Sequence, residues 1–516
     1  MTTVQGFERR WGYAGGLTCC VALSILCRAP FLNVPLTNDE GGYAYVARLW
    51  AAGGGLYGDA WVDRPQGLIV LFRLFDAVAP GTAGLRLCGA VYAVPSLLLL
   101  AYVASRLYGR VAGLCAAAFY ALASSGPQIE GFIVNGELLA TLPAAAAVAL
   151  LLRARHSNHS ARYLFLAGLA AGGALLVKQS AVDGAVVVLL CAPVGEPGPG
   201  GPGQGRTLKK GLRRLRPALA GVLAALALSA LWGAATGWRA YLDAVVLDNL
   251  RYRSFDASAN TWGNAMTGFG WFWSEDAALV VLALAAVVAL LAPSFDRRPS
   301  GNDDRPSAIG HRLWTLLPLP WLAAAAFGVT LGGLYNRHYF VQLLPPLCVL
   351  AGAGFAMGIG VARRLPWTAP LLIVPLALSL MTARVDAPYY LGGSPVAVSQ
   401  RLYGWPVYAR QAELVAFLRR RVPVGEAFFV AYAAAPLHYL AGRPSVTRYL
   451  WRRPLGTIPG AYTSALAAVE RGEPVCVIPV QAVSQPPGDR RMRAALARRY
   501  TVAWRRPGLT VLCRTP

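Results

Sequence analysis

Long apolar runs, joined by short loops of alternating charge character, divide the first 384 residues, and very few folds accommodate that pattern. The first run, from about Trp11 to Leu32, follows Glu8-Arg9-Arg10 and is long enough to cross a bilayer. Further runs lie near 84–106, 110–126, 134–152, 161–178, 181–193, 217–236, 276–293, 313–333, 338–361 and 366–384. Short cytoplasmic loops are enriched in Lys and Arg. With the N-terminus inside, eleven spans place Arg106 to Arg110, Arg153 to Arg162, Arg206 to Arg216, Arg297 to Arg312 and Arg363-Arg364 all in the cytoplasm, and every one of these loops is basic. A cleaved signal peptide would need a small-x-small site before Asn33-Val34-Pro35, and none is present. The pattern predicts a mainly α, polytopic membrane helix bundle of about 11 spans, multi-pass in an inner (plasma) membrane with a cytoplasmic N-terminus.

Composition agrees, with 56% apolar and only 14% charged residues. The formal charge of +24 does not point to nucleic acid, because the arginines sit in loops beside apolar runs and no basic stripe carries interleaved exposed aromatics. Only three of the 48 cations are lysine, a bias that looks like a GC-rich bacterial genome. The nine cysteines show no metal-binding spacing. Seven lie in or beside apolar runs; Cys476 and Cys513 fall in strand-like runs of a polar region, where a disulfide and two buried free thiols fit equally well.

After Ala383 the character changes. Gln411 to Arg421 reads as an amphipathic helix, Ala427 to Ala431 and Val475 to Val480 as strands, and Thr501 to Trp504 with Thr510 to Cys513 as a hairpin about Pro507-Gly508. The expected organisation is a membrane domain over 1–384, with a first outside loop over 33–82 and a cytoplasmic Gly/Pro linker over 194–216, followed by an extracytoplasmic α/β domain over 385–516. The Gly/Pro-rich stretch Gly195 to Gly205 lacks the Gly-Lys-Ser/Thr of a phosphate loop and reads as a linker.

The chemistry gathers on the outer side. Asn38-Asp39-Glu40-Gly41-Gly42-Tyr43 follows the first apolar run, and Asp63-Arg64-Pro65 follows some two dozen residues later. Acids held where a membrane domain meets water are usually functional, although Asp39 and Glu40 also suit the start of a helix Gly41 to Ala52 as caps or first-turn acids. The other outward segments add Glu130, Asn135 and Glu137, Lys178 and Gln179, the aromatic stretch Trp238 to Trp273, and Tyr335 to Tyr339. Carboxylates for proton transfer and cations for a phosphate would need this set, whereas a pump would hold its acids in mid-span.

These motifs, with Asn135-Gly136-Glu137, Lys178-Gln179, Arg337-His338-Tyr339 and Leu343-Leu344-Pro345-Pro346, resemble the GT-C membrane glycosyltransferases of the protein-mannosyltransferase and aminoarabinose-transferase type over roughly residues 30 to 360. Pro423 to Arg448, with Tyr439-Leu440-Ala441-Gly442-Arg443-Pro444, resembles the soluble domains of bacterial members. The resemblance implies inverting transfer of a sugar from a polyprenyl-phosphate donor to a lipid, glycan or protein acceptor of the cell envelope. It implies Asp39 as catalytic base with Glu40 beside it, Arg64 as the phosphate-holding cation, and Asp63 where some relatives have a glutamate associated with a divalent cation. Lys178, Arg337 and His338 follow as further phosphate or sugar contacts, with snorkelling at a helix end as their bland alternative. Tyr43, Asn135, Glu137 and Trp262 follow as acceptor or sugar contacts. Trp262, Trp271 and Trp273 could stack on a sugar face, but an interfacial aromatic belt accounts for them better. The rival reading is a transporter, flippase or non-catalytic binder of lipid-linked sugars; no repeated halves of the transporter kind are visible in the sequence.

Overall fold

The computed structural model describes residues 2–194, 204–255, 261–292, 313–431, 434–479 and 489–515. Most of the expected Gly/Pro linker, Gly195 to Gly203, and the basic loop from Arg297 to Arg312 lie outside the described residues. Among those described, nine helices are long and apolar enough to cross a membrane: Gly12–Phe31, Thr82–Tyr108, Gly136–Arg155, Ser160–Val177, Lys209–Thr236, Thr261–Leu291, Leu313–Thr330, Arg337–Arg364 and Pro366–Tyr390. Two of the eleven expected runs form shorter helices, Arg110–Ala123 and Asp183–Cys191. At 1.5 Å per residue these reach only about 20 and 14 Å, less than the hydrocarbon thickness. The first stops where Ser124-Ser125-Gly126-Pro127 turns the chain.

The chain forms two compact units. The first comprises Met1–Pro30, Cys88–Ala230 and Asn260–Tyr390. Its core is a bundle of Ala, Leu and Val side chains in which small residues let helices approach closely. A Cβ on Gly168 would come within 1.9 Å of the Ala218 carbonyl oxygen, and one on Gly221 within 2.1 Å of that of Phe165, so these two helices touch backbone to backbone.

The second unit joins Phe31–Leu87 and Leu231–Ala259 to Leu391–Pro516. It contains a four-stranded sheet of β1 (Phe428–Ala431), β2 (Cys476–Pro479), β3 (Tyr500–Arg506) and β4 (Leu509–Arg514), in the order β1-β2-β4-β3. β1 and β2 are parallel and are joined through helices, whereas β4 runs antiparallel to both neighbours. The β3–β4 turn is two residues long, Pro507 and Gly508, and Gly508 adopts the positive φ of 73° that the second residue of a Pro-Gly turn takes. Helix Gln411–Arg421 buries Leu414, Val415 and Leu418 in the core that Phe428, Val430 and Ile478 share. Cys476 and Cys513 stand opposite each other on β2 and β4 and form a disulfide.

Helix Asn38–Ala51 packs on helix Ala435–Ala441 in this unit. Arg48 forks onto Asp76, with Nε to Oδ2 at 3.1 Å and Nη2 to Oδ1 at 2.6 Å, while the Tyr439 hydroxyl donates to Asp76 Oδ1 at 2.6 Å. The Arg48 guanidinium also lies 4.2 Å from the Tyr439 ring centroid. The Tyr439-to-Pro444 motif is therefore the socket that receives the first loop. The outside loop expected over 33–82 is mostly helical, through Asn38–Ala51 and Gln66–Val78.

Candidate active site

Two neighbouring acids, Asp39 and Glu40, have opposite surroundings. Thr37, not Asn38 or Asp39, is the N-cap of helix Asn38–Ala51: its hydroxyl accepts from the Glu40 amide, and the Glu40 carboxylate accepts from the Thr37 amide at 3.1 Å. This is the reciprocal arrangement that a Thr-x-x-Glu spacing makes available. Arg86 completes the enclosure, with Nε to Glu40 Oε1 at 2.5 Å and Nη2 to Oε2 at 2.8 Å. Glu40 is wholly buried and Arg86 nearly so, and Arg86 also donates to the Phe31 carbonyl at 2.8 Å. Such a carboxylate caps a helix and neutralises a buried arginine. Asp39, one residue earlier, is only partly buried, and its Oδ1 accepts from the Trp451 indole N–H at 3.1 Å.

The double glycine explains how Trp451 comes so close. A Cβ on Gly41 would stand 2.3 Å from Pro436 Cα, and one on Gly42 would stand 2.3 Å from Trp451 Cζ2. Tyr43, expected to contact acceptor or sugar, is instead buried, edge-on to Phe72 at 5.4 Å and tilted against Trp451 at 5.7 Å. It supports the tryptophan from within the core.

Asp63 and Arg64 precede Pro65 and helix Gln66–Val78. Arg64 Nη1 donates to Asp63 Oδ2 at 2.9 Å, and Arg453 Nη2 donates to the same oxygen at 2.7 Å. Arg453 Nη2 also reaches Asp248 Oδ2 at 2.6 Å, and the Asn249 amide donates to the Asp63 carbonyl at 3.0 Å. Burial pushes the Asp63 carboxyl up, but Arg64 and Arg453 outweigh it and hold the group below its usual range. Asp248 goes the other way: burial raises it to about 6, Arg453 opposing and Asp63 adding to the rise. A divalent ion at Asp63 does not fit this donor set, because cationic guanidinium groups stand where further anionic ligands would be needed. No group of three or more His, Cys, Asp or Glu suited to a metal occurs among the described residues.

In the first unit a second polar cluster forms at the ends of several helices. Lys178, which ends helix Ser160–Val177, pairs with Glu137 in the first turn of Gly136–Arg155 and lies 4.3 Å from the Tyr339 ring centroid. His338 Nδ1 is 2.7 Å from Glu130 Oε2, and its Nε2 is 3.9 Å from Glu137 Oε1. Glu130 adopts a left-handed φ of 54°, uncommon for a side-chain-bearing residue. Lys178 is buried and ion-paired, so it does not snorkel. Arg337 lies apart from these ion pairs, its guanidinium 4.3 Å from the Trp271 ring centroid. Asn135 caps the helix through Leu138 N at 2.9 Å, and Trp262 is exposed at the start of Thr261–Leu291. Asp39, Glu40, Asp63 and Arg64 thus belong to one unit, and Glu130, Asn135, Glu137, Lys178, Arg337 and His338 to the other.

Arg86, Trp451, Arg453 and Asp248 are the participants that sequence reasoning missed. Arg86 reads as an arginine at the edge of an apolar run. Trp451-Arg452-Arg453-Pro454 does carry a signal, an aromatic and basic run ending in proline that parallels Asp63-Arg64-Pro65.

Against known proteins, the family model for dolichyl-phosphate-mannose-protein mannosyltransferase matches residues 64–195. Among solved structures, ArnT from Cupriavidus metallidurans bound to undecaprenyl phosphate superposes with a TM-score of 0.60 at 15% identity, covering 97% of this chain and 98% of that one. The fold is that of the GT-C membrane glycosyltransferases. AglB from Archaeoglobus fulgidus, in complex with an inhibitory peptide and a dolichol-phosphate, gives a TM-score of 0.53 at 13% identity over 99% of this chain and 75% of that one. The mycobacterial arabinofuranosyltransferase AftD gives 0.50 at 15% identity over 98% of this chain and 40% of that one. No curated protein matches at the sequence level. GT-C architecture thus extends over essentially the whole chain, C-terminal sheet included.

Proposed function

We propose that the protein is an inverting glycosyltransferase that moves a sugar from a polyprenyl-phosphate donor to a cell-envelope acceptor on the outer side of the membrane. The observation that carries this reading is the contrast between Glu40, sealed by Arg86 and Thr37, and Asp39, partly exposed against Trp451, with Asp63, Arg64 and Arg453 in the same unit. The acceptor oxygen attacks the anomeric carbon from the face opposite the phosphate, and Asp39 takes the hydroxyl proton. The carbon–oxygen bond to the donor phosphate breaks, the electron pair leaves with the phosphate, and the configuration inverts. Arg64 stabilises the charge that develops on the leaving group. Asp63 orients Arg64 through the contact between its Oδ2 and Arg64 Nη1. Undecaprenyl phosphate in ArnT and dolichol-phosphate in AglB are ligands of the donor class proposed.

The outer location of Asp39 follows from a cytoplasmic N-terminus and the basic loops, and a disulfide between Cys476 and Cys513 suits an oxidising compartment. Fusions of a compartment-sensitive reporter after residue 390 test it: a cytoplasmic signal there would overturn the topology. The activity itself is tested by turnover of purified protein with a polyprenyl-phosphate sugar and crude envelope lipids. Transfer by the wild type supports an enzyme; donor binding with no transfer would support a transporter or a binder.

A further inference from the structure

Arg453 takes no part in the transfer step described above, yet it meets Asp63 as Arg64 does. Two guanidinium groups, from residues 389 positions apart, donate to one and the same oxygen of Asp63, at 2.9 and 2.7 Å. Two guanidinium nitrogens that meet on one oxygen mark a place where the protein favours an anion, and a pair of guanidinium groups can hold both non-bridging oxygens of a phosphate diester. The Arg453 and Arg64 side chains keep 14% and 16% of their surface exposed, so a ligand can reach this pair. Asp248 is different. Its side chain is wholly buried, one oxygen meets Arg453 at 2.6 Å, and the other has no hydrogen-bond partner among the described residues. A buried carboxylate so poorly satisfied contributes little as a strut, but it removes one unit of positive charge from Arg453.

Resting on the transferase reading, we propose that Arg453 is the second cation of the donor-phosphate site, acting with Arg64, and that Asp248 is a resident counter-charge that keeps the site from holding anions too tightly. Charge counting gives the physical reason. Two arginines and two aspartates are formally neutral together, so an arriving diester gains only the local forks. A permanently cationic pair would hold the departing lipid phosphate as firmly as the donor, and would slow its release.

The test is binding of undecaprenyl phosphate to the purified, detergent-solubilised full chain, read by intrinsic tryptophan fluorescence, beside a thermal melt. Asp248→Asn keeps an acceptor for Arg453 and removes the charge; the expected result is binding tightened about threefold to tenfold, with the melt unchanged or raised. Arg453→Gln should weaken binding about tenfold to a hundredfold, and Arg453→Lys should recover part of the loss. A purely structural Arg453–Asp248 strut gives the opposite sign for Asp248→Asn, namely a lower melt with binding equal or weaker, and that result overturns the proposal even if Arg453→Gln fails to fold. Wild-type protein that binds the probe while all three variants leave the dissociation constant unchanged sinks this inference and spares the transferase reading. Wild-type protein that does not bind it at all sinks both.

Discussion

The two polar clusters of this protein solve the same electrostatic problem in different ways. In the membrane unit, Glu130, His338, Glu137 and Lys178 form a chain in which each acid meets a partner on a neighbouring helix and the cation is covered by Tyr339. In the other unit, Asp63 receives two arginines, Arg453 is divided between two acids, and one oxygen of Asp248 is left over. An ionised group in an apolar bundle costs too much to leave unpaired, so in the first cluster each acid lies against a basic side chain. The second is built from distant stretches of chain and leaves one oxygen of Asp248 without a hydrogen-bond partner among the described residues.

The comparison can be broken or sharpened at several points. The largest effect should come at Asp39. Asp39→Asn retains an oxygen for the Trp451 indole and leaves the Thr37 cap untouched, so turnover should fall by about 10² to 10⁴ while the thermal melt stays put. An Asn variant active within about threefold would show that the base is elsewhere. Glu137→Gln in the membrane unit should act on stability instead, at about 3 to 5 kcal/mol, because it removes the charge paired with buried Lys178. Melting in detergent measures it, and a variant as stable as wild type would mean that this ion pair does not hold the membrane cluster together.

Arg64→Ala should weaken donor binding by about 1.5 to 3 kcal/mol, with Arg64→Lys recovering part of it. Equal donor affinity in the alanine variant would reduce Arg64 to a structural partner of Asp63. The mildest effect near neutral pH is one of proton linkage. Burial holds His438 neutral, with its pKa lowered to about 3, while it packs on Phe428 with ring centroids 4.1 Å apart. The unfolded chain binds a proton below its ordinary value near 6.5 and the folded chain does not. Stability of the second unit is therefore complete above that value and should fall by about 1.4 kcal/mol per pH unit from there down toward 3. His438→Phe should flatten this dependence, and a slope unchanged in that variant would assign acid lability to other groups.

Much of the membrane unit was legible because its signals are local. Glu137, Lys178 and His338 each sit at the end of an apolar run, where hydropathy alone brings them to one level of the bundle. The C-terminal strands were legible from alternation, with Gln411–Arg421 matching its expected helix end to end. The roles of Asp39 and Glu40 were not separable in sequence, since adjacent acids after a threonine read alike. Only Arg86, brought in by another helix, commits Glu40 to structure. Tyr43 could not be told from a surface tyrosine until Phe72 and Trp451 closed over it.

By itself the sequence determined a membrane helix bundle with a small C-terminal α/β region, and it singled out Asp39, Asp63 and Arg64 as candidates, because apolar length and charge placement act within a few residues of where they are written. Tertiary structure alone decided which stretch meets the first loop. Nothing local in Gly41-Gly42 names Pro436 and Trp451 as the atoms that need that space, and nothing local in Arg453 names Asp63 and Asp248. Those partners lie hundreds of residues apart, and their pairing depends on how the second unit folds around the sheet, where close packing and the pairing of buried charge operate across the whole unit at once.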